Sequence, residues 1–388
     1  MKRIGVAMVA ILAIACEKVD TGIEPDPPSA NLNKYVAMGT SITMGFASDG
    51  VNSSTQQTSW ANLLAADAGA TFTIPLIDAP GCRPPLAAPL GLLRRVDNTL
   101  FTIISTCSQN SAGVTLPAQN VAIQGATAGD ATSTNYGPGT TGGRVLLIGQ
   151  TQVSAMRAQD PTFVSVEFGA NELLGALSGL VSNSTVVPFS VFSSNYAAII
   201  TNVKQSGAKA LLSLVPTDVS KFPALRTGPE LAAQRAPFGV LNVSVNTNCN
   251  TSTNFVTLTK LLTTLASGAT RASSGLGPAD LSCADVAGTA DGVLTPADIT
   301  ALNALAVQMN TFITSQATAN GYATFPLGAL YDTAKDGVTF DLATILTSPT
   351  PFGARMSLDG IHPSAAGQQV LMAAAKAAIV AAYGSIIH

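Results

Sequence analysis

The stretch Lys34 to Gly45, KYVAMGTSITMG, places the strongest constraint on what this chain can fold into. Four apolar residues, Tyr35 to Met38, run into a tight turn at Gly39-Thr40, and Ser41 stands where a helix begins. A short apolar strand that turns directly into a helix is the opening of a βαβ unit, and such units build parallel sheets. Open α/β sheets put their chemistry at the carboxyl ends of their strands, which is where this turn presents the Ser41 hydroxyl. For that serine to react, the rest of the chain has to supply a base and donors for developing negative charge.

The remaining pattern agrees with an α/β fold. β-type runs are expected at 35–38, 71–74, 120–123, 162–168 and 210–215, each of the last three followed by a turn. Helical patterns fall at 60–68, 151–159 and 195–205, with Ser206-Gly207 as the stop of the third. A further helix covers 294–320, with Thr295 as N-cap, Pro296 at the first helical position and Asp298 near the capping-box position. An alanine-rich helix runs over 365–383 and ends at Gly384. Three stretches exceed a minimal layout: 78–107, rich in Pro and Leu; the apolar 172–189; and 226–284, rich in Ser, Thr and Asn. No repeat and no internal linker divides the chain after Leu32, so residues 34–388 read as one elaborated domain.

Only two histidines occur, His362 and the terminal His388. Serine chemistry that needs imidazole therefore has one realistic base. His362 lies in SLDGIHPS, and Asp359 three residues earlier can fold back onto one ring nitrogen while the other faces a nucleophile. Pro363 and Ser364 open the final helix, whose positive end opposes a cation at His362. Taken alone, an Asp and a His before a helix can equally be a capping loop. Two other loops bear on the choice. Gly125 follows the run at 120–123 and allows a backbone N–H to approach a ligand; Asn171 follows the run at 162–168 and offers a side-chain amide. If these strands are parallel neighbours, Ser41, Gly125 and Asn171 emerge on one side of the sheet and converge on one oxyanion position.

These residues together resemble the SGNH/GDSL-type hydrolases. Gly39-Thr40-Ser41-Ile42 stands at the family's Gly-Asp-Ser-Leu block, and Gly125 matches the glycine of the second block. Gly169-Ala170-Asn171-Glu172 resembles Gly-x-Asn-Asp, and Asp359-Gly360-Ile361-His362 matches Asp-x-x-His, all in the family's order. The resemblance implies a three-layer α/β/α sandwich with a parallel, flavodoxin-like sheet and ester hydrolysis through an acyl-serine. Ser41 would be nucleophile and oxyanion donor, Gly125 and Asn171 would complete the hole, His362 would be base and then acid, and Asp359 would orient it. It implies no metal and no cofactor. Thr40 for Asp, Ile42 for Leu and Glu172 for Asp are departures, and they leave the shapes of two loops open.

The N-terminus reads as a targeting segment. Lys2 and Arg3 precede an apolar run over 4–15 that is too short to span a bilayer and has the length of a secretory h-region. Ala13-Ile14-Ala15 before Cys16 resembles a bacterial lipobox, in which the cysteine becomes the lipidated first residue; an ordinary cleaved signal followed by Cys is the alternative. On that reading 1–15 is a signal peptide, 16–33 a proline-bearing tether, and the domain is held at the bacterial cell envelope, at the periplasmic face or cell surface. No second apolar run has the length of a membrane span. Cys82, Cys107, Cys249 and Cys283 remain, an even number in an exported chain. The two local pairings, Cys82 with Cys107 and Cys249 with Cys283, are preferred over free buried thiols.

With 19 Lys plus Arg against 22 Asp plus Glu and no basic block, nucleic acid is a poor partner. The GxGxxG match at 137–142 follows no strand, Asp291-Gly292 lacks the oxygen ligands of a calcium loop, and the cysteines lack zinc spacing. The segment 172–189 either lines an acyl pocket or closes it as a lid, or else packs as core. Aromatic residues make up 5% of the chain, too few for a sugar-stacking platform, which leans toward lipid esters as substrates. The rival readings are an idle site on a surface-binding lipoprotein, and an acyltransferase that passes the acyl group from Ser41 to an alcohol other than water.

Overall fold

A computed structural model describes residues 29–103, 114–134 and 146–387. Four parallel strands form the central sheet: β1 (Tyr35–Met38), β2 (Phe163–Val166), β3 (Lys209–Leu214) and β4 (Ala323–Pro326), adjacent in that order. The backbone at 119–123 lies along the free side of β1. There Ala37 donates to the Gln119 carbonyl, Val121 to Ala37 and Ile123 to Gly39. The chain thus leaves β1, crosses to one side, and returns to the other for β2, β3 and β4. That reversal makes a doubly wound sheet whose switch point lies at the carboxyl end of β1.

The sheet is buried on both faces, as a parallel sheet requires. Helices α2 (Trp60–Asp67) and α7 (Ala365–Tyr383) pack together, with α7 against β4; α3 (Gln152–Arg157), α4 (Phe189–Ser206) and α6 (Pro296–Asn320) pack as the other layer. The three-layer α/β/α architecture is therefore present. Thr295 caps α6 by accepting from the Asp298 N–H, and the Asp298 carboxylate accepts from the Thr295 N–H in return. Among the described residues one helix, α7, has the length and apolarity to cross a membrane, which the sequence reading did not anticipate. It packs on the sheet instead, burying Leu371, Ala375, Ile379 and Tyr383.

Two expectations need correction, and one strand was not anticipated. Residues 71–74 form no strand: Thr73 pairs with the side chain of Gln119 and the N–H of Asn120, and Pro75 follows. Residues 120–123 form only one regular bridge, Ala37 with Asn120, because the Asn120 side chain accepts from the Ala122 N–H and donates to the Thr43 carbonyl. Strand β4 was missed; it is a short edge strand ending in Pro326, a residue an edge tolerates.

The segment 226–284 folds into an appendage of its own. Leu225–Thr227, Phe255–Thr257 and Val293–Leu294 make an antiparallel sheet, and Val243–Val245 pairs with Ala279–Leu281. Helix α5 (Leu258–Ser273) buries Leu258, Leu261, Leu262 and Leu265. A disulfide joins Cys249 to Cys283. Cys82 is also disulfide-bonded, while Cys107, like Cys16 and the signal segment, lies outside the described residues.

One polar side chain ties the Ser41 turn to both helices of its layer. Buried Gln368 on α7 accepts from the Trp60 N–H at 2.9 Å and donates to the Ile42 carbonyl at 3.0 Å. Gln368→Leu leaves the buried Trp60 N–H without a partner and the Ile42 carbonyl with the Gly45 N–H alone, at a cost of about 1–3 kcal/mol. Urea unfolding of the variant is expected to show a midpoint well below that of the parent; an unchanged midpoint contradicts this role.

Candidate active site

Ser41 opens α1 (Ser41–Met44), a single turn whose N-cap, Thr40, has extended backbone. The helix ends at Gly45, which has φ +87°. Gly39 lies so close to β2 that a Cβ there would stand 2.9 Å from Thr43 Oγ1 and 3.0 Å from the Glu167 carbonyl oxygen. Only glycine permits that approach. The Gln152 amide pins Gly39 from the other layer, accepting from its N–H at 2.9 Å and donating to its carbonyl at 3.0 Å.

The floor of this turn is Glu167, a buried carboxylate just past β2. It accepts from the Thr40 N–H at 3.0 Å, from Thr40 Oγ1 at 2.9 Å and from the Thr43 N–H at 3.3 Å. Burial pushes its pKa up, against the pull of these hydrogen bonds. Thr40, a departure from the family block whose loop shape the sequence left open, uses its hydroxyl as the donor that a neighbouring buried acid requires, and a carboxylate at position 40 would face Glu167 directly. The signal for Glu167 was a single acid between Val166 and Phe168 in an otherwise apolar run.

Ser41 Oγ lies 2.9 Å from His362 Nε2, and His362 Nδ1 lies 2.8 Å from Asp359 Oδ2. Asp359 Oδ1 accepts from the N–H groups of Ile361 at 2.9 Å and His362 at 2.8 Å and from Ser357 Oγ at 3.1 Å; Oδ2 also accepts from the Asp49 N–H at 2.6 Å. Burial alone would raise the Asp359 pKa, but His362 and these donors outweigh it and hold it at about 2. An ionised Asp359 can only accept, so Nδ1 carries the ring proton and Nε2 is bare toward the Ser41 hydroxyl. Burial lowers the His362 pKa, and the facing Asp359 charge reverses this, leaving it above its ordinary value. The opposing helix terminus is outweighed; Ser364 Oγ caps α7 by accepting from the Gly367 N–H.

Asp359 therefore performs both tasks the sequence offered, turning the loop and orienting the ring. The loop is fixed from outside: Tyr331 donates its hydroxyl to the Ile361 carbonyl at 2.8 Å, and Ala224 donates to the Gly360 carbonyl at 3.0 Å. The Phe46 ring, buried, lies 4.8 Å from the imidazole and shields it from water. Asp49 and Ser357 were not read from the sequence. Asp49 has φ +55°, a backbone conformation no spacing announces.

Gly125 takes φ +74°, and among the described residues nothing accepts from its N–H or from that of Ser41. Asn171 opens a short helix and donates one amide hydrogen to the Ala126 carbonyl at 2.8 Å, which leaves the other for a ligand. Glu172 locks the two loops together, its Oε1 accepting from the Ala128 N–H at 2.6 Å. Burial raises the Glu172 pKa to about 7. The segment 172–189 is divided: Leu173 and Ala176 are core, and Leu177 lines a cavity beside His362. The acids of the discarded calcium loop are engaged in local turns, Asp291 with the N–H groups of Val286 and Val293 and Asp298 in the α6 capping box. The GxGxxG match lies outside the described residues.

An imidazole held by an ionised carboxylate and facing a serine hydroxyl can remove that hydroxyl's proton as it attacks a carbonyl. Because only His362 and His388 are present, the ring can be followed by proton NMR. Its titration midpoint is expected above 6.5 and should fall in Asp359→Asn; a midpoint at or below 6.5 in the parent contradicts the ion pair. The sign for stability is opposite for the two partners. The depressed Asp359 pKa adds stability that is present above about pH 4 and lost as pH falls toward 2.

The sequence profile of the GDSL-like lipase/acylhydrolases matches residues 35–375. No curated protein sequence matches the chain. Its structure is similar to that of an acetylxylan esterase from Geobacillus stearothermophilus, at 11% identity and TM-score 0.37, over 91% of this chain and 95% of that one. It is similar as well to the psychrotrophic esterase EstA from Pseudoalteromonas sp., at 12% identity and TM-score 0.37, over 89% of this chain and 96% of the other. The profile runs from β1 through the Asp359 and His362 loop into α7, and by it the chain belongs to the GDSL-like lipase/acylhydrolase family and is a carboxylic ester hydrolase.

Proposed function

We propose that the protein is an exported, lipid-anchored serine esterase working through an acyl-serine intermediate. The observation that carries the reading is the unbroken hydrogen-bond chain from Ser41 Oγ through His362 to Asp359. His362 Nε2 takes the Ser41 proton as Oγ attacks the ester carbonyl, and the imidazolium is stabilised by Asp359. The carbonyl oxygen, now negative, is received by the N–H groups of Ser41 and Gly125 and the free amide hydrogen of Asn171. His362 returns the proton to the leaving alcohol, the acyl-serine forms, and a water activated by the same imidazole releases the acid. Export and anchoring rest on the order of Lys2, Arg3, the apolar run and Cys16.

Protein lacking residues 1–28 is expected to hydrolyse nitrophenyl esters. Ser41→Ala should lower kcat by about a million-fold, and Asn171→Ala by about a hundred- to a thousand-fold. Equal turnover by the parent and Ser41→Ala contradicts the reading. Since His362 must be neutral to act as base and its pKa is raised, kcat/KM should climb with pH through a midpoint above 6.5. For the anchor, palmitate fed to expressing cells should label the full chain and not Cys16→Ala; label retained in that variant overturns lipidation.

A further inference from the structure

Beside the Ser41 site lies a cavity of about 360 Å³, in the size range of small-molecule pockets. Its walls come from the three stretches that exceed a minimal α/β layout. Leu86 and Phe101 belong to one, Leu258 and Leu262 to the appendage helix α5, and Leu177 faces them from the loop after Asn171. His362, Asp359 and Ile361 close one end, while Gly125 and Asn171 take no part in the lining. The carbonyl oxygen sits with the oxyanion donors, and the leaving oxygen has to reach His362 Nε2 for its proton. The cavity on the His362 side therefore faces the alcohol half of the ester.

Its charge is also specific. Asp49 is shared by two guanidiniums: Arg95, buried, at 2.7 Å from Oδ2, and Arg83 at 2.8 Å from Oδ1. Arg95 has further acceptors in the carbonyls of Asp49, Pro84 and Phe101. Arg83 has Asp49 alone among the described residues, lines the cavity and keeps a third of its side chain exposed. Asp359, the other acid of the lining, already accepts from His362, Ser357 and the N–H groups of Asp49, Ile361 and His362. Arg83 thus holds donors toward the cavity that its own fold does not use.

Building on the serine-esterase reading, we propose that this cavity binds the alcohol moiety of the substrate, an apolar body bearing a carboxylate or phosphate that Arg83 receives. The test measures kcat/KM for four esters: hexyl acetate, the acetyl esters of hydroxyhexanoate and of hydroxyhexyl phosphate, and methyl hexanoate. Both anionic acetates are expected to exceed hexyl acetate by about ten- to a hundred-fold; if only one does, it names the anion. Hexyl acetate should exceed methyl hexanoate. Arg83→Gln should bring the anionic acetates level with hexyl acetate. Leu262→Trp should lower hexyl acetate relative to methyl hexanoate by about ten-fold or more. Thr259→Trp, at an exposed position on the cavity rim, should do the same if the buried variant does not fold. A preference that follows the acyl chain, or an Arg83→Gln loss equal for charged and neutral esters, overturns the proposal. Hydrolysis that survives in Ser41→Ala overturns the esterase reading itself, which these ratios do not touch.

Discussion

A buried carboxylate stays ionised only if the fold surrounds it with donors, and the site of this esterase is built around that demand at Asp359. Two backbone N–H groups come from its own loop, one from Asp49 more than three hundred positions away, a hydroxyl from Ser357 and the ring N–H from His362. Each partner is itself held. Ser48 exchanges hydrogen bonds with Ser357 and Leu358, and Arg83 and Arg95 grip the Asp49 carboxylate. With the charge secured, the tautomer of His362 follows, and with the tautomer the bare nitrogen that faces Ser41.

The same logic operates in reverse beneath the nucleophile. Glu167 and Glu172 are buried acids whose pKa values burial raises, and each adds side-chain hydrogen bonds between backbone segments at the sheet edge. Glu167 receives the turn before Ser41, while Glu172 receives the loop after Gly125 and carries Asn171 beside it. The strands bring the chain to one sheet edge; these carboxylates set its last ångström. The positions that depart from the family blocks, Thr40 and Glu172, are therefore parts of the local hydrogen-bonding scheme.

Much of the fold was legible because periodicity and capping are local. Thr295, Pro296 and Asp298 announce α6, and β1, β2 and β3 are apolar runs of strand length closed by turns. The strand at 120–123 was legible in place but not in form, since the Asn120 side chain competes with the ladder. Strand β4 was lost because four residues ending in proline carry little pattern. Asp359 and His362 were readable together, three residues apart on one loop, and the scarcity of histidine pointed to the pair. Asp49, Ser357 and Arg95 were not, because their roles depend on a left-handed backbone and on contacts that sequence spacing does not encode. The appendage over 226–284 read only as polar composition, although its helix α5 carries leucines at helical spacing and supplies a wall of the cavity.

The central claim is that His362, held by Asp359, makes Ser41 the reactive nucleophile. Treating the protein with an alkyl fluorophosphonate and mapping the adduct by peptide mass spectrometry tests it most directly. The account predicts one adduct, on Ser41, that forms rapidly in the parent and is suppressed in His362→Ala. An adduct on another residue, or labelling of Ser41 at the same rate without His362, would contradict it.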